Sequence, residues 1–222
     1  MNRLERPSSH AAMVARLTAD LRPVEPLPPP WRRLGRWLGV AFAVVGVAAV
    51  VGLRDDVTVA LGRPRFVLEV ATLLVAAGAA AAAALVASIP GYGGSRVLAS
   101  VAAVLSVVAL ALLAMSPSAD AAAASIPVGL RCASCVALFA ALPGAALFFA
   151  VRRAAPLGTR WIAAYVGAAA FLVGLASVRI ACPFDGPLHV LAWHVVPAGL
   201  GIAYVTRAAS DALARWRTEL AA

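Results

Sequence analysis

The sequence predicts an all-α, polytopic membrane protein: a bundle of six transmembrane helices with a short cytoplasmic N-terminal tail. Three observations predict it. The 222 residues are 63% hydrophobic and only 13% charged, with a mean hydropathy of +0.90, a balance foreign to soluble domains. Six apolar stretches recur, at 34–53, 66–89, 97–115, 132–151, 161–178 and 188–206. Each is close to the ~20 residues that a helix needs to cross a hydrocarbon core. Lipid offers no hydrogen bonds to the backbone, so repeated spans of this length favour helices over an open sheet. The third observation is charge asymmetry. All 19 basic residues are arginine, and only Arg54, Arg63, Arg65, Arg131 and Arg179 fall on the side opposite the termini, which leaves 14 on the terminal side. Arginine-rich short loops stay in the cytoplasm, so both termini are expected there. The net charge of +9 then sets topology, and no direct contact with nucleic acid is expected.

Three regions follow: a tail over 1–33, a transmembrane region over 34–206 and a second cytoplasmic tail over 207–222. The first 30 residues are polar and proline-rich and do not read as a signal peptide. Within them, 9–21 has the pattern of a short amphipathic helix with Val14, Leu17 and Leu21 on one face. Its few apolar anchors would hold a bilayer weakly, whereas a partner groove uses such anchors well. The five prolines of 22–30 cannot continue a helix and favour an extended spacer, which carries Val24. Trp31 and Trp37, with Arg32, Arg33 and Arg36, then read as an interfacial anchor for the first span.

In the second span, Gly78 and its neighbouring alanines offer a small face for close helix packing. Glu69 lies one helical turn from Arg65 and is expected to pair with it. No span carries several ionisable residues, which argues against an ion pathway, and no internal repeat of the transporter kind is visible.

The chemistry gathers on the outer side. Cys132 and Cys135 stand in RCASC at the start of span four, and Cys182 opens CPFDGPLH before span six. Asp185, His189 and His194 are close to Cys182 in sequence. Two chemistries fit. A disulfide could join Cys182 to either Cys132 or Cys135, in a compartment that permits it. Alternatively, Cys132, Cys135, Cys182 and His189 could hold a thiophilic metal ion, because thiolates and imidazole together suit soft ions. One disulfide would leave one thiol free, which suits a sensor better than a staple.

Taken together, LTADLRPVEPLPPP, RFVLE, the outer cysteine of span four, LPGAALFFAVRRAAPL and CPFDGPLHVLAWH resemble the NrsF-like bacterial anti-sigma factors. Those proteins are six-span negative regulators of an extracytoplasmic-function sigma factor in the inner membrane. The resemblance covers nearly the whole chain. It implies that the tail holds a cytoplasmic sigma factor through Val14, Leu17, Leu21 and Val24. It also implies that the outer cysteines sense heavy-metal or oxidative stress and release that factor. The partners expected are therefore the sigma factor, the bilayer and a transient heavy-metal ion, with no cofactor and no catalysis. The competing reading is a membrane thiol–disulfide oxidoreductase that uses the CASC pair.

Overall fold

The tail and the apolar stretches form helices: α1 (Ser9–Ala19), α2 (Pro30–Val51), the short α3 (Val57–Leu61), α4 (Pro64–Ala87), α5 (Ser95–Ala114), α6 (Ile126–Arg152), α7 (Thr159–Ala181) and α8 (Pro187–Val190). The last of these continues through a π-helical turn, Leu191–Val195, into α9 (Val196–Ala221). This computed structural model describes residues 9–19, 26–52, 54–115, 125–154 and 156–221, and no strand occurs among them. Six helices are long and apolar enough to cross a membrane, the sixth being the continuous Pro187–Trp216. The predicted class, an all-α bundle of six spans, is the observed one.

Proline sets several of the starts. It stands in the first turn of α2, α4, α6 and α8, where its fixed φ suits a helix and its missing N–H costs nothing. For this reason α2 already takes in residues 30–33, assigned above to the tail, and α6 begins at Ile126 rather than at 132. At the other terminus α9 runs on to Ala221, so the second tail continues the last helix.

Helix α7 is the hub. It packs against α2, α4, α6 and α9, while α5 packs on α4. Nearly all of α7 from Ile162 to Arg179 is buried. Between helices in lipid there is little hydrophobic drive, so association depends on close packing of small residues. A side chain at Gly174 would put its Cβ 2.5 Å from the carbonyl oxygen of Val136, and one at Gly201 would run into the ring of Phe171. On α4 the alanines supply the close face: Ala76, Ala77, Ala80, Ala81 and Ala84 are all buried. Gly78 does not share in it, since a Cβ there meets only Leu38, at 3.9 Å.

The expected interfacial anchor divides. Trp31 is exposed, but Trp37 is 3% exposed, and its indole N–H donates to the Pro143 carbonyl of α6 at 2.9 Å. An indole buried in a bundle needs a partner for its one donor, and Trp37 has found it across the helix interface. Arg33 is buried as well and donates through Nη2 to the carbonyl of Ala150 in the last turn of α6. A guanidinium there satisfies carbonyls that the helix leaves open. In α1, Met13, Val14 and Leu17 are exposed. Leu21 and Val24 lie outside the described residues.

Two glycine substitutions test this packing. Gly174→Ala should prevent the close approach of α7 to α6 and sharply lower the thermal midpoint of the detergent-solubilised protein. Gly78→Ala should leave that midpoint unchanged or raise it, because alanine favours helix by up to about 1 kcal/mol. Equal effects at the two positions would contradict the packing described.

Candidate functional site

The loop 182–186, CPFDG, joins α7 to α8 at the end of the bundle opposite the tail, and two of its residues organise that end. The first is Cys182. Its Sγ lies 3.8 Å from Sγ of Cys132 on α6 and 3.6 Å from Nε2 of His189 on α8. The His189 ring stands edge-on to that of His194, with centroids 5.0 Å apart and planes at 86°. Phe184 packs on the other side of His189, at 5.2 Å. One ligand-type atom from each of Cys132, Cys182, His189 and His194 lies within 4.8 Å of all the others. His194 is fully buried, and neither of its ring nitrogens has a hydrogen-bond partner among the described residues.

Local structure explains how these side chains meet. Pro127 lets α6 start early, so Cys132 stands in its second turn rather than at its entry. Cys182 caps α7, and its amide bonds the carbonyl of Val178 at 2.7 Å. His189 and His194 are five residues apart, which in an α-helix would set them about 140° apart around the axis. The π-helical turn that contains His194 widens the winding there and brings both rings to one face, as such turns often do at functional sites. Gly129 makes room on α6, since any side chain there would strike the indole of Trp193.

The spacing suits a tetrahedral ion. With Zn–S bonds of ~2.3 Å and Zn–N bonds of ~2.0–2.1 Å, tetrahedral geometry sets S···S near 3.8 Å and S···N near 3.6 Å. Those are the separations that Cys182 makes with Cys132 and His189. Two thiolates and two imidazoles suit zinc and softer thiophiles. A hydrogen bond from Cys132, aided by the His194 imidazole, holds the Cys182 thiol below its ordinary pKa despite burial.

Of the residues singled out in the sequence, the structure brings together Cys132, Cys182 and His189. It adds His194 and leaves Cys135 outside the group of four. Cys135 instead lines a groove of about 410 Å³ beside it, with Arg131, Cys132, Phe139, Cys182 and Phe184 among the walls. The half-buried Cys132 and the buried Cys182 therefore share this groove with Cys135.

The second organising residue is Asp185. Arg54, in the loop after α2, grips both its oxygens, at 2.9 and 2.8 Å, and reaches the Pro183 carbonyl at 3.3 Å. Arg179 of α7 donates to Asp185 at 3.1 Å and to Glu69 of α4 at 3.0 Å. Glu69 also accepts from Arg65 at 3.1 Å, the pair expected from sequence. Arg65 goes on to the carbonyls of Met115 and Leu112 at the end of α5. The ring of Phe66 packs against both guanidiniums, with Arg54 and Arg179 each 5.5 Å from its centroid. Burial pushes the Asp185 carboxyl up, but the Arg54 hydrogen bonds and the Arg179 charge outweigh it and hold it below the usual carboxylate range. The hydrogen bond from Arg54, at 2.5 Å, likewise lowers Asp56.

In the sequence Arg54 and Arg179 appear only as loop charges. The structure makes both 3% exposed, and their role was hidden because their partners are distant in the chain.

The family described as "Negative regulator of sigma F", NrsF, matches residues 17–216. The chain belongs to that family. Membership makes a sigma factor the partner and negative regulation the role. The match also takes in both halves of the site, the RFVLE segment of Arg65, Phe66 and Glu69 and the CPFDGPLH segment of Cys182, Asp185 and His189. No curated protein and no solved structure matches the chain significantly.

Arg179 tests the ion-pair network. Arg179→Gln strips a charge from the buried Glu69 and the partly buried Asp185, and breaking a buried pair from one side costs about 3–5 kcal/mol. The unfolding midpoint should fall accordingly, and an unchanged midpoint would contradict the network. The pH response has a definite sign. Asp185 and Asp56 are held below their unfolded value of ~3.9, so their stabilisation is complete above that pH and is lost as pH falls through the folded values. Thermal stability should be flat from about pH 7 to pH 5 on this count and decline below about pH 4.

Proposed function

We propose that this NrsF-family protein is a multi-pass anti-sigma factor of the bacterial inner membrane. Its tail holds an extracytoplasmic-function sigma factor in the cytoplasm, and its thiol site faces the periplasm. Heavy-metal or oxidative stress acting on Cys132 and Cys182, with His189 and His194, releases the factor. One observation carries the sensor reading: two thiols and two imidazoles place donor atoms within 4.8 Å of one another, beside a surface groove. The arginine asymmetry supports the orientation, and the exposed Met13, Val14 and Leu17 of α1 support a docking role for the tail.

The signal must favour one arrangement of the bundle over another. Reversing a 99:1 equilibrium requires about 5.5 kcal/mol of differential binding. Structural zinc sites release about 10–16 kcal/mol in small peptides, so a thiophilic ion has enough to spare for repacking. Alternatively, an oxidant that takes two electrons and two protons from Cys132 and Cys182 would join their sulfurs. The metal draws together α6, the end of α7 and the start of the last span, and the disulfide draws together α6 and the end of α7. Helix α6 meets α2 at its far end through the Trp37–Pro143 and Arg33–Ala150 bonds, and α2 leads straight into the tail. That contact chain is the physical connection from sensor to output.

The oxidoreductase reading needs Cys132 and Cys135 to exchange with each other. The proximity of Cys132 to Cys182 instead favours the sensor, and so does the family's regulatory role.

Two sets of variants test the proposal with a sigma-dependent reporter, with and without cadmium or chromate. Cys182→Ser and Cys132→Ser should each keep basal repression and lose the response, since a serine hydroxyl matches the thiol in size but is a poor soft-metal ligand. Cys135→Ser should be mild. A full response from the triple serine variant would rule out thiol sensing.

For output, Leu17→Asp should place a carboxylate in an apolar groove of the partner, at a cost of about 1–3 kcal/mol, or roughly ten- to a hundred-fold in affinity. Transcription should become constitutive while the protein stays in the membrane. Normal repression by a stably expressed variant would exclude this face as the main contact.

A further inference from the structure

At the end of the bundle that carries the tail, Arg33 and Arg36 of α2 and Arg153, just past α6, line a single cleft of about 240 Å³. No acidic residue lines it among the described residues. Arg36 and Arg153 are exposed, but Arg33 is only 6% exposed. One of its terminal nitrogens, Nη2, is used on the Ala150 carbonyl. The other, Nη1, is buried without a hydrogen-bond partner among the described residues. The rest of the wall is apolar and includes Val40, Ala146 and Phe149, and Phe149 is itself exposed on the bundle surface.

A buried guanidinium with an unused donor is costly unless an anion completes it. Two more cations at the mouth of the same cleft raise that demand, and no carboxylate among the described lining residues meets it. Guanidiniums present forked donors that match the oxygens of a phosphate group. Basic pockets between membrane helices hold anionic headgroups in just this setting. We propose that the cleft binds a phosphate-bearing anion, with the headgroup of an anionic phospholipid seated on Arg33, Arg36 and Arg153 and its acyl chains along Val40, Ala146 and Phe149. A free phosphate ion shares the headgroup chemistry but has no use for the apolar wall, which is the reason for assigning the lipid. Arg33 also caps α6 beside the Trp37–Pro143 bond, so the bound headgroup would brace α2 against α6 at the root of the tail. This site is independent of the thiol reading.

Native mass spectrometry of the full chain released from a neutral detergent tests the proposal. Phosphatidylglycerol, cardiolipin, phosphatidylcholine and inorganic phosphate are titrated separately. The anionic lipids should be retained and phosphatidylcholine should not. Because Arg33→Gln would also remove a helix cap, the decisive variant is the exposed pair Arg36→Gln/Arg153→Gln. It should lower affinity for anionic lipid at least tenfold without moving the lipid-free thermal midpoint. Arg160→Gln, an exposed arginine of the same end that does not line the cleft, should change nothing. Inorganic phosphate that binds as tightly as the lipids would reassign the ligand to the free ion and overturn the lipid assignment. Equal retention of phosphatidylcholine, or undiminished affinity in the double variant, would overturn the site itself.

Discussion

Arg179 is the side chain on which one whole end of this bundle depends. It is buried at the end of the central helix and joins Asp185 of the following loop to Glu69 of α4. A cation in that position is tolerable only because two carboxylates and the Phe66 ring offset its charge. Arg54 closes the other side of Asp185 and ties in the loop after α2, while Arg65 ties Glu69 to the end of α5. Four separate segments are thus fixed by one ion network in a fold whose helices otherwise meet through alanine and glycine. Small residues set how closely the helices approach, and the charges set which ends meet.

The thiol site depends on that frame. Cys182 and Asp185 are three residues apart in one loop, so gripping the carboxylate also fixes the sulfur. The last span then begins at Pro187, and a π-helical turn carries His194 round to meet His189. Any event that moves Cys182 relative to Cys132 must work against the anchored loop, so α6 and the last span are the elements free to respond. Helix α6 is also the one that Trp37 and Arg33 of α2 hold at the tail end.

The spans were legible in the sequence because hydropathy is a local property, and the prolines marked most of their starts. The Arg65–Glu69 pair was legible because helical neighbours four apart face each other. Long-range partners were not legible. Trp37 and Arg33 looked like interfacial anchors since nothing nearby in sequence reveals Pro143 or Ala150, more than a hundred residues away. Arg54 and Arg179 passed for topological charges for the same reason. In the thiol cluster, Cys182, Cys132 and His189 could be gathered from their shared side of the membrane. His194 could not, because its five-residue spacing from His189 places it on the wrong face of an α-helix. Cys135 drew attention through its CxxC spacing, a pattern that says nothing about which cysteine faces the last hairpin.

The coordination shell of a metal bound to the purified full-length protein is the most direct test that Cys132, Cys182, His189 and His194 form one site. X-ray absorption at the zinc edge should show two sulfurs at ~2.3 Å and two nitrogens at ~2.0–2.1 Å, with the sulfur shell halved in Cys182→Ser and lost in Cys132→Ser/Cys182→Ser. A shell of three sulfurs would bring Cys135 into the site in place of a histidine, and a shell of oxygens alone would show that no such site exists.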